Sequence, residues 1–422
     1  MDRIFGHTSS MGYALRVMDV TRPLSALSVD PGVDGVGLLL RDGDRPLGFL
    51  LLPDPGPSLS PTELERLAVG AGADGLHVER LRRQLLRRHG DDTATEVPSG
   101  TVTVAVCTRN RPDDLGHCLD SIDRARRAFA GDVEVLVVDN APPDDATQRV
   151  VEQRPGVRYV REPLAGLDVA RNRALAECRG QWLAFVDDDV RVDDRWLVGL
   201  AAARREHPDV AGLVGLVLPA ELETEAQVRF EHRGGFGRGF VQRRWDGRHG
   251  PGGWLHPLGA GEFGAGCDMA FDVAVLRALG GFDDALDTGA PLPGGGDLDI
   301  FFRVLAAGHV LVYEPRMAVF HRHRRGMDEL RRQYASWGTG LAAYLGARWA
   351  TPAERPLILR LVVWWLDDQT KRLASALRSR DRVEIRMAAA ELAGGAVGVG
   401  GYARSRRRMA ARRAALVSGA AQ

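Results

Sequence analysis

Short apolar runs rich in β-branched residues alternate with amphipathic helical segments between residues 101 and 190. Strands are predicted over VTVAVCT (102–108), VEVLVVD (133–139), VRYV (157–160) and WLAFVDDD (182–189). Helices are predicted near Asp113 to Ala130, Asp144 to Gln153 and Asp168 to Glu177. Such alternation is typical of a mostly parallel sheet with helices on both faces. We therefore predict an α/β fold whose ligands bind at the carboxyl ends of the strands.

The residues before this region follow a different pattern. VGLLLR and RPLGFLLL flank Asp42-Gly43-Asp44, a turn sequence that favours a β-hairpin. Ser60-Pro61-Thr62-Glu63 has the spacing of a capping box and predicts the start of a helix, and a second helical pattern extends to Arg88. The polar run over 90–100 is typical of a linker. We predict a small α+β module over residues 1–95.

The chain after Gly326 has a helical pattern and a basic end. We predict the α/β domain over 101–326 and a helical extension over 327–422. The aromatic residues on apolar faces of the extension are Trp337, Tyr344, Trp349, Trp364 and Trp365, and its basic residues near the end are Arg404, Arg406, Arg407, Arg408, Arg412 and Arg413. Two interpretations stay open: packing on the α/β domain or on a second copy of the chain, and contact with an anionic lipid surface.

The charge composition excludes several classes of enzyme. The chain has 56 basic and 56 acidic residues, but its one lysine is Lys371. A P-loop and the strand lysine of kinases are therefore excluded, and Schiff-base chemistry would depend on Lys371 alone. A formal net charge of zero argues against nucleic acid as the main partner.

Cysteine usage and the apolar segments predict the compartment. The four cysteines form no CxxC pair, and the first residues lack the apolar run of a signal peptide. The longest apolar stretch, 357–366, has about half of the roughly 20 residues that a spanning helix requires. We therefore predict free thiols, no transmembrane segment and a cytoplasmic location, with peripheral contact at the inner face of the membrane as an alternative.

Three consecutive aspartates follow the apolar part of the last predicted strand. Such a cluster favours a hard divalent cation with oxygen ligands. Alternation along an extended chain predicts that Asp187 and Asp189 share one side while Asp188 faces the other. For this fragment alone, a solvated acidic turn is the competing interpretation.

Other polar clusters follow glycine-rich or strand-like segments. Asp297 and Asp299 follow Gly294-Gly295-Gly296 at the start of a helix predicted over Ile300 to Ala307, where one of them can instead serve as an N-cap. His321, after a strand-like run, suits a metal ligand or a phosphate contact, or a structural role. Arg171 in GLDVARN can reach a base or a phosphate with its guanidinium.

In this order, the clusters resemble family 2 glycosyltransferases with the GT-A fold, over about Val102 to Arg325. The motifs that carry the resemblance are CTRNRPDDL (107–115), VVDNAPPDD (137–145), GLDVARN (166–172), FVDDDV (185–190), FGAGCDMAF (263–271), GGFDD (280–284), GGGDLDIFFRVLAAGH (294–309) and YEPRMAVFHRHRR (313–325). RPLGFLLLP and LVLPAELETEAQVRFE also resemble a bacterial subgroup that has an extra N-terminal module.

The resemblance implies a role for each cluster. Asp297 would be the catalytic base, and Asp189 of the DXD motif and His321 would bind Mn²⁺ or Mg²⁺. The residues implied to bind the nucleotide or the sugar are Thr108, Asn110, Arg111, Asp139, Arg171, Asp187, Asp188, Asp268 and Asp299. The implied enzyme is an inverting, metal-dependent hexosyltransferase. Its donor would be a UDP-sugar first, with dTDP or GDP as alternatives, and its acceptor a glycan, lipid, natural product or peptide.

Two positions depart from the subgroup pattern. Gly296 stands where glutamate is common, and Asp268 stands where asparagine is common. We interpret both as changes of specificity, with a non-catalytic scaffold that binds a nucleotide sugar as the alternative. A sugar-nucleotide pyrophosphorylase is a weaker alternative, because those enzymes typically use a basic glycine-rich loop with help from lysine, and Lys371 is badly placed for it.

Overall fold

The computed structural model of the chain describes residues 12–43, 45–70, 100–248, 253–286 and 292–419. The chain divides into two compact units. The first comprises Met1–Glu96, Leu216–Val241 and Phe320–Leu330, and the second comprises Val97–Gly215, Gln242–Val319 and Arg331–Gln422. The predicted helical extension thus belongs to the second unit from residue 331 onward. The domain boundaries drawn from the sequence stay a prediction.

A small sheet lies in the first unit. Strand β1 (Tyr13–Asp19) pairs in parallel with β3 (Gly35–Asp42), which pairs antiparallel with β4 (Arg45–Pro53). A short pair joins β2 (Leu27–Ser28) to β5 (Ser58–Leu59). Asp42 is opposite Arg45 across the turn, so the predicted hairpin is confirmed.

The helix that follows this sheet, α1, is described over residues 61–70. The backbone N–H of Ser60 donates to Glu63 Oε2 at 2.8 Å, and the N–H of Glu63 donates to Ser60 Oγ at 3.3 Å. These two hydrogen bonds confirm the predicted capping box. The second helical pattern, which extends to Arg88, and the linker before residue 100 lie outside the described residues.

The main sheet has parallel strands on one side and antiparallel strands on the other. Its strands are β6 (Val102–Thr108), β7 (Val133–Asn140), β8 (Val157–Glu162), β9 (Trp182–Asp187), β10 (Val190–Val192), β11 (Val210–Pro219), β12 (Arg243–Trp245), β13 (Asp268–Asp272) and β14 (Val310–His321). The order is β10-β14-β11-β13-β9-β6-β7-β8, and β12 pairs with β14. Strands β9, β6, β7 and β8 run parallel, whereas β13 is antiparallel to both β9 and β11. The predicted α/β class with a parallel core is confirmed.

Helices connect the strands and form the C-terminal part of the chain. They are α2 (Pro112–Arg127), α3 (Ala146–Glu152), α4 (Leu167–Glu177), α5 (Trp196–Glu206), α6 (Glu225–His232), α7 (Val273–Ala278), α8 (Gly296–Ala306), α9 (Met327–Arg348), α10 (Arg355–Ser379), α11 (Arg382–Gly398) and α12 (Gly401–Gly419). Helix α8 begins four residues before the predicted start at Ile300, because Gly295 adopts a φ of 102° and serves as its N-cap. Asp297 therefore lies inside the first turn.

The register of the parallel strands brings their polar ends to one edge. Thr108 at the end of β6 pairs with Asp139 of β7, and Cys107 pairs with Asp187 at the end of β9. Side chains at the carboxyl ends of neighbouring parallel strands line a crevice in folds of this class. These polar side chains therefore lie at the edge where the predicted fold class binds its ligands.

The C-terminal helices bury some of their aromatic residues and expose others. Tyr344 of α9 is fully buried, and its hydroxyl donates to the Leu258 carbonyl at 3.2 Å. Trp337, Trp349 and Trp364 are more than a third exposed. Contact of these helices with a second copy or with a lipid surface stays a prediction.

Gly199 of α5 packs directly against the backbone of β14. A Cβ there would lie 2.6 Å from the carbonyl carbon and oxygen of Arg316. Because backbone atoms cannot move aside as a flexible side chain does, we expect Gly199→Ala to lower the unfolding free energy by about 1–3 kcal/mol. Gly116 of α2 is the control, since its Cβ would meet the end of the Arg154 side chain at 3.4 Å. We expect Gly116→Ala to raise stability by up to about 1 kcal/mol. Denaturant unfolding measures both, and a Gly199→Ala protein more stable than the wild type would contradict this packing.

Candidate functional site

Two carboxylates at the end of β9 share one arginine. Arg111 Nη1 donates to Asp188 Oδ1 and to Asp189 Oδ2, each at 3.0 Å. Thr108 Oγ1 donates to Asp188 Oδ2 at 2.7 Å. Burial opposes the charge of Arg111, but Asp188 and Asp189 outweigh it and raise the pKa of its guanidinium. The turn after β6 is thus joined by charged hydrogen bonds to the turn after β9, which contains Asp188 and Asp189 and is called the acidic turn below.

The predicted alternation of the three aspartates is wrong. Strand β9 ends at Asp187, and the chain turns at Asp188 and Asp189 before β10 begins. Period-two alternation applies only while the backbone is extended. Asp188 and Asp189 therefore bind the same guanidinium, whereas Asp187 lies near Arg171, whose Nη2 is 3.8 Å from Asp187 Oδ1.

The negative charge of this turn is only partly balanced by arginines. Partial loss of hydration raises the pKa of Asp187 to about 7, and the charges of Asp189 and Asp188 add to the rise against the effect of Arg171. Burial also raises the pKa of Asp188. Crowded carboxylate oxygens with surplus negative charge fit a hard divalent cation.

Groups other than side chains commonly complete the coordination shell of such a cation. No group of three or more histidine, cysteine, aspartate or glutamate side chains within the described residues is arranged to hold a metal ion. Mg²⁺ is usually held by one or two carboxylates, with substrate phosphates and water completing its shell. The acidic turn fits a cation bound in that way.

Asp139 presents a buried acceptor at the end of β7. Tyr159 of β8 donates its hydroxyl proton to Asp139 Oδ2 at 2.9 Å, and Asp139 is fully buried. Within the part of the chain that the structure describes, Oδ1 has no hydrogen-bond partner. Burial raises the pKa of this carboxyl, although the hydrogen bond from Tyr159 opposes the rise. A buried acceptor without a partner is costly unless a ligand satisfies it.

Arg171 connects α4 to the start of α8. Its Nη1 lies 3.0 Å from Asp168 Oδ1, and its Nη2 donates to the carbonyl of Gly266 at 3.0 Å. The N–H of Gly266 donates to Asp297 Oδ2 at 3.2 Å. Although burial opposes it, the charges of Asp168, Asp187 and Asp297 raise the pKa of Arg171. Arg171 is therefore a fixed cation among three carboxylates.

The side chain of Asp297 is oriented by two backbone N–H groups. Besides the bond from Gly266, Asp297 Oδ1 accepts from the N–H of Leu298 at 2.9 Å. Each carboxylate oxygen has two lone pairs, so both oxygens keep one for another donor. Asp297 is partly exposed, which leaves it accessible to a proton donor from solution.

Two of the predicted binding residues are in the core. Asp268 pairs with Val186 across β13 and β9, so it faces away from Asp187, and Trp196 Nε1 donates to its Oδ1 at 2.9 Å. Burial raises the pKa of Asp268 well above its usual value. Asp299 is fully buried, with Arg303 Nε 2.6 Å from Oδ2 and Arg348 Nη2 3.2 Å from Oδ1. The structure does not bring either residue to the strand-end cluster, because strand pairing and the helical turn direct them inward.

Asn110 and His321 lie apart from these contacts. Asn110 is exposed, with a φ of 56° in the turn before α2. His321 belongs to the first unit, where its Nδ1 is 3.1 Å from Nδ1 of His323. The centroids of the His321 and Phe236 rings are 5.2 Å apart. The nucleotide contact of Asn110 and the metal contact of His321 stay predictions.

Asp168 and Gly266 are the site residues that sequence reasoning missed. Asp168 sits three positions before Arg171 on the same helix, a spacing at which opposite charges pair. That spacing was a usable signal within GLDVARN. Gly266 contributes only backbone groups, and no side-chain pattern can indicate such a role.

Comparison with known protein families matches part of the chain. Residues 103–254 match the family model described as "Glycosyl transferase family 2". The predicted resemblance to family 2 is confirmed. The matched region contains the acidic turn, Asp139 and Arg171, but Asp297 follows it.

The chain is also similar to parts of curated proteins. The chain is 30% identical over 304 residues to the pre-mycofactocin glycosyltransferase of Mycobacterium tuberculosis (strain CDC 1551 / Oshkosh), covering 68% of this chain and 59% of that protein. It is 32% identical over 108 residues to the succinoglycan biosynthesis protein ExoM of Rhizobium meliloti (strain 1021), covering 25% of this chain and 35% of that protein. The chain therefore spans about a third and about three fifths of the length of these two relatives.

Solved structures show a looser likeness. The mannosyltransferase PcManGT from Pyrobaculum calidifontis, in complex with GDP-Man and Mn2+, is 20% identical, with a TM-score of 0.40, over 85% of this chain and 91% of that one. No described helix is both long and apolar enough to cross a bilayer.

Proposed function

We propose that this protein is a glycosyltransferase that moves a sugar from a nucleoside-diphosphate donor to an acceptor. The observation that carries the proposal is the alignment of the β6, β7 and β9 ends, which gathers Thr108, Asp139 and the acidic turn at one edge of the sheet. Arg171 lies near Asp187 and donates to the carbonyl of Gly266, whose N–H donates to Asp297. The family 2 match over residues 103–254 supports the same assignment.

The nucleotide base binds at Asp139 in this proposal. Its unpaired Oδ1 suits a ring N–H of uracil or thymine, or the N1 and N2 donors of guanine. UDP is the preferred donor nucleotide, with dTDP and GDP as alternatives. Arg171 contacts the phosphates of the donor, and Asp187 contacts its ribose hydroxyls.

Asp189 would hold Mn²⁺ or Mg²⁺ together with the donor phosphates. When bound, the cation supplies positive charge to the leaving diphosphate. Arg111 keeps the acidic turn folded by its hydrogen bonds to Asp188 and Asp189. The turn can thus keep its shape whether or not donor is bound.

Asp297 is the general base in this proposal. It takes the proton of the acceptor nucleophile as that atom forms its bond to the anomeric carbon, and the bond from this carbon to the diphosphate breaks with its electron pair on the leaving oxygen. A single displacement inverts the anomeric centre, so an α-linked donor gives a β-linked product. The N–H groups of Gly266 and Leu298 fix the carboxylate for this step.

A thermal-shift screen tests the proposed function. The probes are UDP, dTDP, GDP and their common sugar conjugates, each with Mn²⁺ and with EDTA. A ligand that binds only the folded state raises the Tm with the logarithm of its concentration over Kd. Release of the nucleoside diphosphate and transfer to acceptor pools of glycans, lipids, natural products or peptides then separates an enzyme from a scaffold that only binds the donor. No shift with any nucleotide would contradict the proposal.

Asp139→Asn tests the base contact. If Tyr159 holds the amide oxygen, the new NH₂ group faces the ring N–H of the base, and two donors then oppose each other. We expect the Kd for UDP to rise roughly 10–100-fold, as for the loss of a hydrogen bond to a charged group. Titration calorimetry measures it, and Asp123→Asn on the exposed side of α2 is the control for loss of one charge. Unchanged UDP affinity in Asp139→Asn would remove Asp139 from the binding site.

A further inference from the structure

Gly296 has no room for a side chain. A Cβ there would lie 1.7 Å from Asp168 Oδ2 and 2.6 Å from Asp168 Cγ. The φ of Gly296 lies outside the positive range that favours glycine, so the backbone conformation does not impose this residue. The carboxylate of Asp168, a residue only 1% exposed, fills the space instead. The need for glycine at 296 therefore comes from a residue on α4, 128 positions earlier in the chain.

The same carboxylate holds Arg171. Asp168 Oδ1 lies 3.0 Å from Arg171 Nη1, within one turn of α4, and both residues are buried. The other end of the guanidinium donates to the Gly266 carbonyl, and the Gly266 N–H donates to Asp297. The space at Gly266 is also tight, since a Cβ would lie 3.0 Å from Arg171 Nη2 and 3.0 Å from Asp297 Cβ. A displacement of Asp168 would be passed through these contacts to Asp297.

Asp168 also acts on Asp297 through its charge, because it attracts the guanidinium of Arg171. Arg171 interacts with the carboxylates of Asp168, Asp187 and Asp297. Its distance to Asp168 is 3.0 Å, against 3.8 Å to Asp187. Without Asp168, the guanidinium would be left between Asp187 and Asp297. An arginine paired with Asp297 would occupy the lone pairs that the base needs.

We propose that Asp168 is a positioning residue for Asp297, and that its carboxylate occupies the place that glycine leaves open at position 296. It holds Arg171 on the α4 side, so that Arg171 fixes the Gly266 peptide and leaves Asp297 able to accept a proton. The proposal rests on the proposed function only in naming Asp297 as the base. Positions 168 and 296 are then coupled, and a carboxylate on either residue can hold Arg171.

The steric part is tested without any catalysis, by a double-mutant cycle on thermal unfolding. We expect Gly296→Ala to lower the Tm by about 2–6 °C in the wild-type background, because the new Cβ must displace Asp168. In the Asp168→Ala background, the same change should leave the Tm unchanged or raise it. Equal Tm changes in the two backgrounds would overturn the proposal.

The positioning part is tested by kinetics with UDP-glucose, UDP-GlcNAc, dTDP-glucose and GDP-mannose, using whichever the wild type turns over. We expect Asp168→Ala to lower kcat roughly 10–100-fold with little change in the donor KM, because the base is misplaced while the nucleotide contacts stay. Asp168→Gly combined with Gly296→Glu should recover part of the loss, since it returns a carboxylate from the other side.

Gly199→Ala is the control for stability, because it is expected to lower the Tm from a position packed on β14. If Asp168→Ala lowers the Tm but keeps the wild-type kcat, Asp168 is merely structural and the proposal is overturned. If the kcat of Asp168→Gly combined with Gly296→Glu is no higher than that of Asp168→Ala, a carboxylate at position 296 cannot replace the one at position 168, and this part of the proposal is overturned. A wild type that turns over none of the donors contradicts the proposed function, whereas the unfolding cycle still decides whether residues 168 and 296 are coupled.

Discussion

Replacing Asp297 by asparagine is expected to lower sugar transfer roughly 10²–10⁴-fold while the affinity for UDP stays near that of the wild type. The carboxylate is fixed by the N–H groups of Gly266 and Leu298, and a neutral amide in its place cannot take the proton of the acceptor. The hydrogen bonds of Asp297 to Gly266 and Leu298 involve neither Asp139 nor the acidic turn, where the nucleotide is proposed to bind. The chemical step should therefore suffer without loss of the donor.

Steady-state transfer and UDP titration measure the two effects separately. Asparagine turns its NH₂ group toward one of the two backbone N–H groups, so Asp297→Ala is a needed second variant that leaves both N–H groups to water. Asp123→Asn, on the exposed side of α2, controls for the loss of one negative charge. An Asp297→Asn and an Asp297→Ala enzyme that both transfer sugar at the wild-type rate would remove Asp297 from the chemistry.

Replacing Asp189 by alanine is expected to abolish the dependence of donor binding on a divalent cation. In the wild type we expect Mn²⁺ to tighten UDP binding at least about tenfold over EDTA, because the cation offsets the charge shared by the diphosphate and the acidic turn. Asp189→Ala removes one oxygen ligand and also one of the two carboxylates bound by Arg111. UDP affinity should then be similar with and without Mn²⁺.

Calorimetric titration of UDP with Mn²⁺ and with EDTA measures this difference. Asp194→Ala is the matched control, since Asp194 follows the same turn but is exposed and pairs with Arg124 at 3.2 Å. It should keep the effect of Mn²⁺. If Asp189→Ala keeps it as well, the metal is held elsewhere, and if the wild type shows no effect, metal dependence is contradicted.

Local signals accounted well for the elements of the main sheet. Strand β6 was predicted with its observed bounds, and β7 within one residue, because a short β-branched run buried on both sides has a clear pattern. The start of α8 was missed, since it depends on the positive φ of Gly295, and three consecutive glycines leave the choice of N-cap undecided.

The amino-acid sequence by itself determined the α/β class and the edge at which Thr108, Asp139 and the acidic turn meet. These follow from the period of the apolar residues and from the parallel order of the strands, which are nearly local properties. Only the tertiary structure decided that Asp268 faces Trp196, that Asp299 pairs with Arg348, and that Arg111 joins Asp188 to Asp189. It also placed the Asp168 carboxylate against Gly296. Contacts between residues so distant in the chain depend on register, turn geometry and helix packing, which no local pattern encodes.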